Sequence, residues 1–124
     1  MDAPLRFARL TTDAGGESRF DTISIDVAFS HFAPPAAPFG VSELAPASQT
    51  GFLKLPAGWV GETHPSPIRM WVFFLSGEML FEASDGETRK CAAGTAMLLE
   101  DTTGRGHNSR VVGDSHTVLA VVRL

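Results

Sequence analysis

The chain has 124 residues, 44% of them hydrophobic and 19% charged, with a formal net charge of -4. That length suits one domain burying roughly two-thirds of its unfolded surface, and the composition excludes a disordered chain. The ten basic residues are scattered, so no Lys/Arg stripe exists to neutralise a phosphate backbone, and nucleic acid is excluded as a partner.

The first twenty residues hold one candidate strand, Leu5 to Leu10, followed by a polar turn, Thr11 to Ser18. The opening residues Met1-Asp2-Ala3-Pro4-Leu5-Arg6 lack a basic n-region and a continuous apolar h-region. The longest apolar stretch, Met70 to Leu75, is far shorter than the roughly 20 residues of a membrane helix. A cytoplasmic protein with no membrane partner is expected.

Ile23, Ile25, Val27 and Phe29 alternate with polar or small residues, which predicts a strand with one face in the core. Residues 33–38, Ala-Pro-Pro-Ala-Ala-Pro, cannot supply a run of ladder hydrogen bonds and form a loop or stiff spacer. Arg69 to Leu75 is apolar on both faces, which predicts a strand covered from both sides. Ser76-Gly77 turns it into Glu78 to Ala83, and Asp85-Gly86, a pair suited to a type I′ turn, leads to Thr88 to Cys91. Thr95 to Leu99, a loop Glu100 to Gly106, His107 to Val112, a Gly113-Asp114 turn and His116 to Val122 complete the chain.

Eight or more strands in about a hundred residues predict an all-β jelly roll, with an immunoglobulin-like sandwich as the competing arrangement. The lone Cys91 excludes an internal disulfide and reads as a small packed residue rather than a nucleophile.

From Gly58 onward the sequence resembles the cupin superfamily, particularly the small single-domain bacterial cupins of unassigned function. The superfamily's first motif runs glycine, five residues, His-x-His, three or four residues, glutamate, six residues and glycine. Gly58, His64, Ser66, Met70 and Gly77 stand in those places, so Ser66 replaces a histidine and Met70 the glutamate. The second motif opens at Gly94, continues through Glu100 in place of a proline, and reaches His107 after a two-residue displacement. The resemblance covers about Gly51 to Leu124. It implies one cupin domain over residues 1–124, a jelly-roll β-barrel (double-stranded β-helix) whose interior receives His64 and His107.

If Glu62 to Met70 is extended, side chains at even steps share a face, and Glu62, His64, Ser66 and Met70 point the same way. Two readings of that face follow. In the first, His64, Ser66 and His107 anchor a small organic ligand against Met70 and Trp71. In the second, His64, His107 and Glu62 hold a divalent metal (Fe, Mn, Zn or Ni) in an isomerase, dioxygenase or lyase of the kinds that cupins include. A third reading is a non-catalytic, dimer-forming barrel.

Arg69, Arg105 and Arg110 are carboxylate-binding candidates weighed against ordinary solvation, and His31 and His116 read as partly exposed histidines. No serine lies in a nucleophile-elbow pattern, so Asp101 and Asp114 complete no triad. The doubly apolar 69–75 strand and the N-terminal arm both want a covering surface, which predicts a homodimer.

Overall fold

The structure is a computed structural model and describes residues 3–124; Met1 and Asp2, the head of the N-terminal arm, lie outside it. The described residues form strands and no helix: β1 (Leu5–Thr12), β2 (Ser18–Ile25), β3 (Val27–Ser30), β4 (Phe39–Ser42), β5 (Gln49–Leu55), β6 (Val60–His64), β7 (Met70–Ser76), β8 (Glu78–Ala83), β9 (Thr88–Ala92), β10 (Ala96–Leu99), β11 (His107–Val111) and β12 (Thr117–Arg123). No helix among them is long and apolar enough to cross a membrane.

Two sheets face each other. The larger runs β2-β1-β10-β7-β12-β5 and the smaller β6-β11-β8-β9, while β3 and β4 form a separate hairpin. All pairings are antiparallel except β1 with β10. The core lies between the sheets, where Leu10, Phe20, Val72, Phe74, Met79, Phe81, Met97 and Leu119 interdigitate. Period-two alternation creates this layer: Met70, Val72 and Phe74 point inward from β7, and Met79, Phe81 and Ala83 from β8. The expected all-β, double-sheet jelly roll is the architecture observed.

Several local expectations change. The single strand expected over residues 22–29 breaks at Asp26 into β2 and β3. Its core-facing residues are Ser18 and Phe20, whereas Ile23 pairs with Phe7 away from the core. The 85–86 turn is not type I′, because only Gly86 has positive φ (+92°). The Gly86 amide donates to the Ala83 carbonyl at 3.0 Å, and the Ala83 amide to the Glu87 carbonyl at 2.9 Å. This is a type I turn closed by a left-handed glycine. The outer face of β7 is not covered within the chain: Phe73 and Leu75 remain exposed, and Trp71 packs edge-on to Phe7 at 5.5 Å between ring centroids.

Cys91 is buried in the core cluster. Burial pushes its thiol up to about 11, against a smaller opposing pull from the Arg89 guanidinium. Because the folded state holds on to the proton, the stabilisation is complete below the free thiol's pKa and fades as pH rises toward 11. Ellman's reagent at pH 8 is expected to leave Cys91 unmodified in the native protein and to titrate it fully in denaturant. Rapid labelling of native protein would contradict this.

Candidate functional site

A cavity of about 420 Å³ opens between the sheets. Its walls are mostly apolar: Leu55, Trp59, Met70, Val72, Met79, Phe81, Leu99 and Leu119. Three polar side chains meet the same space, His64 at the end of β6 and His107 and Ser109 on β11, while the edge strand β5 borders it through Leu53 and Leu55. Among the described residues no Asp or Glu lines it.

The two imidazoles are neighbours because His64 and His107 are directly paired across β6 and β11. Their ring centroids lie 5.2 Å apart, inclined at 53°. His107 also leans on Phe81 at 5.5 Å. His64 Nδ1 donates to the Pro65 carbonyl at 2.7 Å, since a carbonyl can only accept. His107 Nδ1 meets Asp101 Oδ2 at 2.6 Å, and Asp101 is completely buried behind the ring. With each Nδ1 occupied, Nε2 is the nitrogen each ring has left for a guest.

The loop carrying Asp101 is held by the N-terminal part of the chain. The Glu100 amide donates to the Leu10 carbonyl at 2.8 Å, and the Arg105 amide to the Gly16 carbonyl at 2.9 Å. The Ser18 hydroxyl donates to the Gly106 carbonyl at 2.7 Å, and the Thr12 hydroxyl to the Thr103 carbonyl at 2.9 Å. The β1–β2 pair therefore clamps the loop that positions Asp101 and, through it, His107. Orientation of a ring by a second, buried carboxylate is the usual way to fix a histidine tautomer.

The structure brings His64, Met70 and His107 together and separates from them Glu62 and Ser66, which the even-step reasoning put on the same face, and Trp71. Glu62 is exposed and outside the cavity. The cause is a β-bulge: His107 pairs with His64 and Ser109 with Gly61, so β6 has one residue more than β11 across this interval. The bulge reverses the parity, leaving Gly61 beneath the Trp59 ring and turning Glu62 away.

Ser66 is buried but used structurally. Its amide donates to the Asp101 carbonyl at 2.9 Å and its hydroxyl to the Ile68 carbonyl at 2.7 Å, which seals the turn after His64. Trp71, at an odd position of β7, belongs to the outer face. Arg69 is paired with Glu100 and Arg105 with Glu17, both at 2.5 Å, while Arg110 is exposed; none lines the cavity. His31 and His116 are likewise exposed and elsewhere.

These residues do not fit a two-His-one-carboxylate centre. Among the described residues no group of three or more His, Cys, Asp and Glu side chains is placed to hold a metal ion. The position that would supply the carboxylate holds Met70, an apolar wall. The residue to which the sequence assigned no role is Asp101, which meets His107 Nδ1. Its signal was an acid six positions before His107 in a loop anchored to the same strand.

No protein-family model and no curated protein matches the chain. Among solved structures it is similar to an RmlC-like cupin family protein with a double-stranded β-helix fold from Methanocaldococcus jannaschii, at 17% identity and TM-score 0.47, covering 78% of this chain and 86% of that one. It is similar to the Cnp3 cupin domain of Schizosaccharomyces pombe at 12% identity and TM-score 0.49, over 98% and 83% of the two chains. A putative ethanolamine utilization protein Q from Salmonella typhimurium shares 18% identity at TM-score 0.40, over 99% and 96%. The chain itself is an all-β fold of a six-stranded and a four-stranded sheet with a separate hairpin.

Proposed function

We propose that this cupin-fold protein binds a small, largely apolar organic molecule through one anionic or hydrogen-bond-accepting group, a carboxylate above all. The observation that carries the reading is the pair of adjacent imidazoles, His107 backed by buried Asp101, at an apolar cavity. A volume of about 420 Å³ falls within the range of small-molecule sites. The apolar walls drive burial of a hydrocarbon or aryl body, and the few polar groups orient it. The two imidazoles offer donors to such a group, and among the described residues no acidic side chain on the wall opposes it. Asp101 fixes the orientation of the His107 ring through the contact at Nδ1. No reaction is assigned to the site.

Trp59 lines the cavity and Trp71 lies on the outer face, so a Trp71→Phe background leaves one reporter. Small alkyl and aryl carboxylates are expected to change its fluorescence saturably, and amines of matched shape are not. His107→Ala and His64→Ala should each weaken binding about 10-fold or more, the worth of a hydrogen bond to a charged group. Equal binding of amines and carboxylates, or affinities indifferent to both histidine variants, would sink the reading.

A further inference from the structure

The cavity lies beside a strand edge that the described residues leave unpaired. β5 ends the six-stranded sheet and β6 ends the four-stranded one, and the turn over residues 56–59 joins them without their pairing to each other. Which main-chain groups of β5 face that gap follows from the ladder. The Phe74 amide donates to the Thr95 carbonyl at 3.0 Å, and the Phe74 carbonyl accepts from the Gly94 amide at 2.9 Å. Successive residues of a strand alternate the edge to which N–H and C=O point. Trp71 and Phe73 therefore direct theirs to β12, opposite Val122 and Ala120. Leu119 and Val121 then direct theirs to β5, opposite Leu53 and Gly51. Phe52 and Lys54 are left with both groups aimed at the open edge.

Both residues nevertheless line the cavity. Phe52 stands in one row with Ala120 and Phe73, on the face away from the core, and is 74% exposed. Lys54, two residues on, shares that face. What Phe52 and Lys54 bring to the cavity is therefore main chain, N–H donors and C=O acceptors set beside walls that are otherwise mostly apolar. A guest that displaces water from these groups without replacing its hydrogen bonds leaves them buried and unpaired, which opposes binding.

Given the carboxylate-binding reading of the cavity, on which this step rests, we infer that the occupant is the free C-terminal end of a short peptide whose last residue is apolar. A peptide lying along β5 exchanges N–H and C=O with Phe52 or Lys54 as one more antiparallel strand does. The residue so paired turns its side chain to the outer face, with Phe52 and Lys54. The next and last residue turns its side chain inward with Leu53 and Leu55, into the apolar hollow, and points its carboxylate away from β5. Across the gap stand His64, at the end of β6, and His107 paired to it. A peptide end thus meets the open main chain, the apolar walls and the adjacent imidazoles together, whereas a simple aliphatic acid meets only the last two.

In the Trp71→Phe background, N-acetyl-alanyl-leucine with a free carboxylate is expected to bind about 10-fold tighter than isocaproate, as two added hydrogen bonds allow. Isocaproate carries the leucine side chain and carboxylate without the amides. Amidating the peptide's C-terminus, and separately methylating its alanine nitrogen, should each cost about 10-fold. Phe52→Pro and Lys54→Pro each remove one N–H from the open edge and none from the β12 ladder, a place where strands tolerate proline, so circular dichroism should be unchanged. One of the two, at whichever residue meets the peptide, should abolish the peptide's advantage over isocaproate. Histidine-dependent binding of isocaproate with no peptide advantage would overturn this inference and leave the carboxylate reading standing. An advantage untouched by both prolines, or by methylation, would overturn it as well, and binding of neither probe would overturn both.

Discussion

Gly106→Ala is expected to destabilise the protein by about 2–6 kcal/mol and to abolish ligand binding at the cavity. Two costs combine. Gly106 has φ of +76°, and an L residue forced into that region costs about 1–3 kcal/mol. A β-carbon there would also fall on the His64 carbonyl and the Pro65 nitrogen, which are backbone atoms with nowhere to go. Relieving that overlap by moving strands costs about 1–3 kcal/mol more. The movement separates β6 from β11 at the point where His64 pairs with His107. Gly113→Ala is the matched control, since φ there is +86° with nothing near the added carbon. It should lose only about 1 kcal/mol in urea unfolding. Equal losses at the two glycines would show that close approach at Gly106 does not hold the site together.

Asp101→Ala comes next, with an expected loss of about 2–4 kcal/mol and a His107 ring that no longer keeps one tautomer. The Nδ1–H of His107 is buried and its acceptor is Asp101 Oδ2. Removing the acceptor strands the donor, at about 1–3 kcal/mol, and leaves a void behind the ring. Asp101→Asn separates acceptor chemistry from space filling. Its amide oxygen can still accept from Nδ1, but the amide nitrogen must occupy the place of Oδ1, which has no protein hydrogen-bond partner. A smaller loss, about 1–2 kcal/mol, is expected. Nitrogen-15 chemical shifts of the His107 ring should report Nδ1 protonation in the wild type and in Asp101→Asn, and a tautomer mixture in Asp101→Ala. Identical ring spectra in all three proteins would remove Asp101 from any positioning role.

The amino-acid pattern alone determined the layer architecture, because burial on one face of a strand imposes period two, and that period is written locally. Met70, Val72 and Phe74 against Trp71, Phe73 and Leu75 could be sorted into two faces from sequence. The loops at Ser76-Gly77, Asp85-Gly86 and Gly113-Asp114 could be placed from turn chemistry. So could the arrival of His64 and His107 in one hollow, given the resemblance of their surroundings to the cupin motifs.

Tertiary structure decided which neighbours those histidines have. Parity is a reliable guide only along an uninterrupted ladder. The extra residue in β6 exists only relative to β11, so nothing within residues 60–64 announces that Glu62 turns outward. Ser66 is diverted to Asp101 and Ile68 by contacts made after the chain has folded back. Asp101 reaches His107 through a loop whose shape depends on Leu10, Gly16 and Ser18, more than eighty residues away. Long-range hydrogen bonds of that kind carry no periodic signature. They arise when two distant segments each have a buried polar group that only the other can satisfy.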